Sequence, residues 1–375
     1  MPMSIPPLIL PQPDGRRVIL FVARGLDSVG TGRQIELAAA AFLATGWTVH
    51  LAVTTAGGSV AARLARVGVA VHQLGTRPVI DAATAARLGQ LARGLKLGRS
   101  DAVLAWGRSQ ARLAAAVRLL IPTCRLVCHL AMQPSGAFTG LAVRQADQVI
   151  ASSPAIAAAC ERLGVAATKI VTISPAADAA APTGISRADL AARLGLDSDK
   201  LWTLCVAPLV AEARLERLLW AVEQLGAVHQ RLEHVLVGAG PLRNRILRRA
   251  RVQELTERLH LFPQLDCLPD LLREARLVWQ SGNVACGGAI LDGMAAGIPA
   301  VAVTSDAVQQ LIVDGETGRI VLPEPESELP RRAFGIIEDD LLTAQYAAAA
   351  KIRAAQTFPA DQLMAAIVDA VGRVD

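Results

Sequence analysis

Aromatic residues supply only 3% of this 375-residue chain. That leaves little surface for stacking bases and argues against a nucleic-acid partner. Long apolar runs are missing as well. The hydrophobic fraction reaches 52%, but much of it is alanine, and no stretch of 18 or more apolar residues is free of charge, so no membrane-spanning helix is predicted. The six cysteines, Cys124, Cys128, Cys160, Cys205, Cys267 and Cys286, contain no C-x-x-C pair and no zinc-finger spacing, and they fit a reducing cytoplasm. Cys124 and Cys128 lie near His129, but two small thiols in a buried strand is the reading favoured over a metal site. No basic segment precedes the proline-broken apolar patch of MPMSIPPLILPQPDGRR, so a loose lead-in is expected there rather than a signal peptide.

What is present is an uneven charge. Residues 1–180 carry 18 Lys and Arg against 8 Asp and Glu, a balance of +10, and the remainder of the chain carries −5. A basic front half suits an anionic membrane surface or an acidic acceptor. Solvated arginines on alanine-rich helices account for the same excess. The expected location is the cytoplasm, with peripheral attachment at the inner face of the membrane if the basic half meets anionic lipid.

Short apolar segments alternate with longer alanine-rich helical ones in both halves, the pattern of two doubly wound parallel α/β sheets. Strands are predicted at 18–22, 48–53, 70–74, 102–106, 125–129, 148–151 and 169–173. After them, SPAADAAAPTGIS marks a domain boundary near residue 180, and Ser186 is placed to cap the next helix. The second half restarts with strands at 201–206, 234–237, 260–262 and 299–303 and helices at 212–225, 242–251 and 268–274. The expected division is 1–180 and 181–355, with a last helix over 356–375 packing back on the first domain.

The most informative stretch is WQSGNVACGGAILDGMAAGIPAVA, residues 279–302. A strand runs into a glycine-bearing loop, a small-residue helix and a second strand. Glycines let backbone approach a ligand closely, and a helix start presents unpaired N–H groups to a phosphate.

Together with SVGTGRQIELAAAAFLATGWTVHLAV, ADQVIASSPAIAAACERLGVAATKIVTISPAAD, VLVGAGPLRNRILRRA and VDGETGRIVLP, this stretch resembles glycosyltransferase family four, the retaining group with the GT-B fold. The resemblance implies two facing Rossmann-like domains with a nucleoside-diphosphate sugar held mainly by the second. It also implies a carbohydrate or lipid-linked acceptor held mainly by the first, and transfer of a hexose with retention and without a metal or other cofactor. Departing diphosphate charge must then be met by basic side chains and backbone donors.

Against that pattern the donor site is degenerate. Pro208 stands at the family's arginine and Ala213 at its lysine, with Arg214 one position on. A one-residue offset turns a side chain by about 100° on a helix. In the family's paired-glutamate element, Asp292 stands at the second, where it can accept ribose hydroxyls, but Val284 stands at the first and can bond nothing. Gly287 and Gly288 are expected to cradle a phosphate through their N–H groups. Gly30, Gly32 and Arg33 form either a donor-side glycine turn or a plain strand-to-helix turn. Gly238 and Gly240 admit either a nucleotide or simply a tight turn. His129 either faces the donor sugar or bonds nearby backbone. The leading expectation is a hexosyltransferase of polysaccharide biosynthesis. The alternative is a catalytically inactive binding or assembly module, and a sugar-nucleotide epimerase is the third and least supported reading.

Overall fold

A computed structural model describes residues 17–25, 30–54, 58–75, 81–118, 121, 123–177 and 183–372. The N-terminal lead-in up to residue 16 and part of the SPAADAAAPTGIS boundary lie outside the described residues.

The first domain carries strands β1 (Val18–Ala23), β2 (Thr48–Val53), β3 (Ala70–Gln73), β4 (Ala102–Trp106), β5 (Arg125–Leu130), β6 (Gln148–Ala151) and β7 (Ile170–Thr172). They form one parallel sheet in the order β3-β2-β1-β4-β5-β6-β7. The second carries β8 (Leu201–Val206), β9 (Leu232–Val237), β10 (Leu259–Phe262), β11 (Ala275–Gln280), β12 (Ala300–Val303) and β13 (Gly318–Val321). Its order, β10-β9-β8-β11-β12-β13, repeats the same winding, again in parallel.

The reason for the winding is visible in β1, whose sequence VILFVA is apolar at every position. Ile19, Phe21 and Ala23 feed one core layer, and Val18, Leu20 and Val22 feed the other. A strand covered by helices on both faces has no polar face to spare. The second sheet is sandwiched in the same way. β13, which the turn signals of VDGETGRIVLP obscure, pairs with β12 from Ala300↔Gly318 to Val303↔Val321.

Between the sheets, Ser186 caps the helix Arg187–Leu194 by accepting from Asp189 N–H, and Gly195 ends it in the left-handed conformation. The last helix, Ala360–Gly372, returns to the first domain. There it packs on the helix Thr31–Ala44, and Val371 O accepts from Arg125 Nη1 at 2.8 Å.

Candidate active site

In each sheet the strand order reverses once, between β1 and β4 and between β8 and β11. A crevice opens at the carboxyl ends of the strands at such a point, because the connections leave to opposite faces. Here the two crevices face each other. The first is bordered by Gly30, Gly107 and Arg108, the second by the 207–214 and 281–288 segments.

The crevices meet at Gly30. This residue precedes the helix Thr31–Ala44 with φ 57° and ψ −128°, and a side chain there would bring its Cβ to 2.9 Å from Gly288 O. Gly30 N–H donates to Asp292 Oδ2 at 2.9 Å. Asp292 is 4% exposed and lies in the first turn of the helix Ile290–Ala296. A carboxylate of the second domain thus sits at the start of the first domain's glycine-led helix, where N–H groups and the helix dipole favour an anion. Gly32 is buried within that helix's first turn, and Arg33 pairs with Glu36 at 3.4 Å.

Further contacts close the cleft. Gln133 Nε2 donates to Asp306 Oδ2 at 2.6 Å, Gln310 Nε2 donates to Ser174 Oγ at 2.7 Å, and Arg108 Nη2 stands 3.8 Å from Glu212 Oε1. Thr31 Oγ1 approaches Cys286 Sγ at 3.9 Å. A small pocket remains between the domains. Gln133, Ser152, Asn283, Asp306 and Gln310 bring amides, a hydroxyl and one carboxylate to its wall, with no cation.

The signature loop explains its own glycines. Cys286, Gly287 and Gly288 all have positive φ, at 52°, 71° and 57°. A Cβ on Gly288 would come to 2.8 Å from Val206 O. Cys286 is a non-glycine residue in the left-handed region, which costs about 1–2 kcal/mol. Burial raises its thiol to about 12, so it stays protonated and is no nucleophile. The Gly287 and Gly288 N–H groups, expected to cradle a phosphate, are engaged within the loop in this structure. They donate to Val284 O and Ala285 O, each at 3.1 Å, because the loop closes on itself as a tight helical turn.

Gly238 and Gly240 also serve the chain itself. A Cβ on Gly238 would overlap Ala207 O, and one on Gly240 would reach 2.5 Å from Leu209 O. These glycines make room for the 207–209 backbone.

The substituted donor positions share a structural logic. Ala213 and Val284 are buried with Leu209 and Ala207 in one apolar layer. Ser281 Oγ donates to Ala213 O, and Asn283 N–H donates to Glu212 O, both at 2.9 Å. The corner where the resemblance implies a lysine and a glutamate is therefore packed and apolar, while Pro208 is exposed. Arg214 is exposed too, with left-handed backbone at φ 49°. Arg217, three residues further on, brings a cation beside the loop. Its Nη1 donates to Ser281 O at 3.4 Å, and its guanidinium lies 3.7 Å from both Glu324 and Glu326. Helical spacing from Arg214 signals Arg217, but Arg108 carried no sequence signal.

His129 is the last residue but one of β5 and lies opposite Trp106. It is 3% exposed, and its ring lies 4.2 Å from that of Trp106. Burial lowers its pKa to about 4, so it is neutral at pH 7 and offers at most one donor and one acceptor. The Trp106 indole N–H is buried without a hydrogen-bond partner among the described residues.

Comparison with known proteins agrees with this architecture. A family model described as Glycosyltransferase Family 4 matches residues 29–181, and one described as Glycosyl transferases group 1 matches 201–339. HepE of Anabaena, solved with UDP and glucose, is 20% identical over 96% of this chain and 100% of its own, with a TM-score of 0.76. Sucrose-phosphate synthase of Thermosynechococcus elongatus is 17% identical over 94% of this chain and 98% of its own, at 0.73. WaaG, a glycosyltransferase involved in lipopolysaccharide biosynthesis, is 14% identical over 95% of this chain and 100% of its own, at 0.72. A phosphatidyl-myo-inositol mannosyltransferase of Mycolicibacterium smegmatis is 36% identical over 72 residues, a match spanning 19% of each chain. One model covers each sheet domain, and the solved relatives share the facing pair: the chain belongs to the family-four glycosyltransferases and has the GT-B fold.

Proposed function

We propose that the protein transfers a hexose from a nucleoside-diphosphate sugar to a carbohydrate or lipid-linked acceptor, with retention and without a metal. The observation that carries this reading is the meeting of both crevices at one buried carboxylate. Asp292 and the Gly30 turn face each other where a nucleotide would lie between two such domains. On this reading, opening of the cleft frees Asp292 to accept the ribose hydroxyls and the Gly30 turn to meet the diphosphate. Arg108 and Arg217, two cations beside the cleft, supply charge to the leaving group. His129, neutral and packed against the Trp106 ring, positions the donor sugar by a single hydrogen bond. The acceptor enters on the side of the basic first domain, which rests against anionic lipid on the cytoplasmic side of the membrane.

One observation favours a second reading, an inactive GT-B module that binds or assembles. Ala213 and Val284 fill the donor-sugar corner with packed apolar surface. A lost contact to transition-state charge typically costs a few kcal/mol, so losing two slows transfer by several orders of magnitude.

The deciding experiment is a thermal-shift screen across sugar nucleotides, run beside an assay for released nucleoside diphosphate. Saturable stabilisation with release in the presence of an acceptor is the expected result. Stabilisation without release with any acceptor establishes the binding module instead, and neither response removes both readings.

A further inference from the structure

We infer that Asp292 is an internal latch: its carboxylate holds the two domains shut at the Gly30 turn and competes there with any anionic ligand. Three observations converge. Gly30 N–H donates to Asp292 Oδ2 across the cleft, between residues 262 positions apart in sequence. The site is fitted to the contact, since a single added Cβ at Gly30 would press to 2.9 Å on Gly288 O. The flanking cross-domain bonds, Gln133 to Asp306 and Gln310 to Ser174, join polar side chains near the cleft rim, whereas the latch itself is buried.

A hydrogen bond accepted by a charged group is stronger than a neutral one and resists loss when shielded from water. The start of the 14-residue helix Thr31–Ala44 favours one anion, and the chain supplies it. An external diphosphate reaches these amides only in the fraction of molecules whose latch has opened, so its apparent affinity falls by that fraction. The donor-sugar corner beside the latch is apolar and packed, which leaves a bare diphosphate little other means of prying the cleft apart. This inference rests on the nucleotide-binding reading for its physiological ligand, but the latch itself does not depend on turnover.

Two variants test it from opposite sides. Asp292→Ala removes the acceptor, and Gly30→Ala leaves the carboxylate in place but wedges a methyl group against Gly288. Both are expected to widen the molecule in small-angle scattering and to speed amide exchange at residue 30 by about tenfold or more. Asp292→Ala is also expected to bind inorganic pyrophosphate, which has no ribose, about tenfold more tightly than the unaltered chain. Circular dichroism melts confirm that each variant is folded. Unchanged scattering and exchange in both variants overturn the latch, and equal pyrophosphate affinity overturns the competition. Absence of turnover with every sugar nucleotide would count against the transferase reading alone and would leave these results standing.

Discussion

Replacing Val284 by glutamate puts back the residue type that family resemblance implies, and the structure predicts that the change harms the protein. Val284 is 6% exposed and belongs to the apolar layer of Leu209 and Ala213. Losing a buried valine forfeits about 1.5–3 kcal/mol of burial. A carboxyl group lodged there without a partner adds about 1–3 kcal/mol. The expected loss at neutral pH is therefore about 2.5–6 kcal/mol, a large share of a typical stability of about 5–15 kcal/mol. The pH dependence gives the test its sign. A buried glutamate without a cation has its folded pKa raised above the unfolded value of about 4.3. The variant is then least disadvantaged below that value, and the deficit grows as pH rises through the folded pKa. Urea denaturation of Val284→Glu and Val284→Ala at pH 5 and pH 8 reads both effects. If Val284→Glu melts like the unaltered chain at both pH values and gains sugar-nucleotide turnover, position 284 faces the cleft and the reasoning is wrong.

Other consequences are open to the same kind of measurement. Gly238→Ala should cost about 3 kcal/mol or more, because the new methyl group overlaps Ala207 O. Gly46→Ala, with φ 83° but open space around it, should cost about 1–2 kcal/mol, and equal melting temperatures for the two variants would refute this account of the 207–209 contact. Burial lowers the pKa of His50 and His129 to about 4 and that of His234 to about 3. The folded chain therefore holds fewer protons than the unfolded one below about pH 6.5. Stability is expected to be full above that pH and to decline as pH falls towards 4, with a shallower decline in His234→Gln; a flat denaturation midpoint from pH 7 to pH 4.5 would contradict it. Vesicles containing anionic lipid should capture the protein through its basic first domain, and added salt should release it as the screening length shrinks from about 10 Å at 0.1 M to about 3 Å at 1 M. Equal binding to neutral and anionic vesicles refutes that attachment.

Strands were the most legible part of the sequence. Thr48–Val53, Ala102–Trp106 and Leu201–Val206 stand between turn-forming residues, and burial on both faces makes each a mostly apolar run, broken only by Thr48, His50 and Thr203, that pattern alone reveals. β13 escaped because Asp314-Gly315 and Thr317-Gly318 read as turns, and an edge strand of four residues leaves little periodicity. The helix predicted at 212–225 starts at Leu215 instead, because Glu212 and Ala213 are taken up in the turn stitched to the signature loop. In the site, the glycines announced a loop but not its bonding. The Gly287 and Gly288 N–H groups close a local turn, and Gly238 accommodates a neighbouring carbonyl, a three-dimensional fact that no spacing encodes. The partner of Asp292 was illegible for the same reason, since its acceptor role is fixed by how two separate domains meet.

The chain passes between the domains twice, and the two crossings are tied together. Ala177 N–H donates to Phe358 O at 2.7 Å, and Ala177 pairs with Pro359 as an isolated bridge. At Ala177 the outgoing chain is pinned to the returning one, like one leaf of a door hinge to the other. A contact of this kind at the crossings ties any gape at the far lip to rotation near Ala177 and Phe358. A chain cut after residue 358 would keep one leaf and lose the helix anchored on Arg125, and its domains would wander instead of swinging.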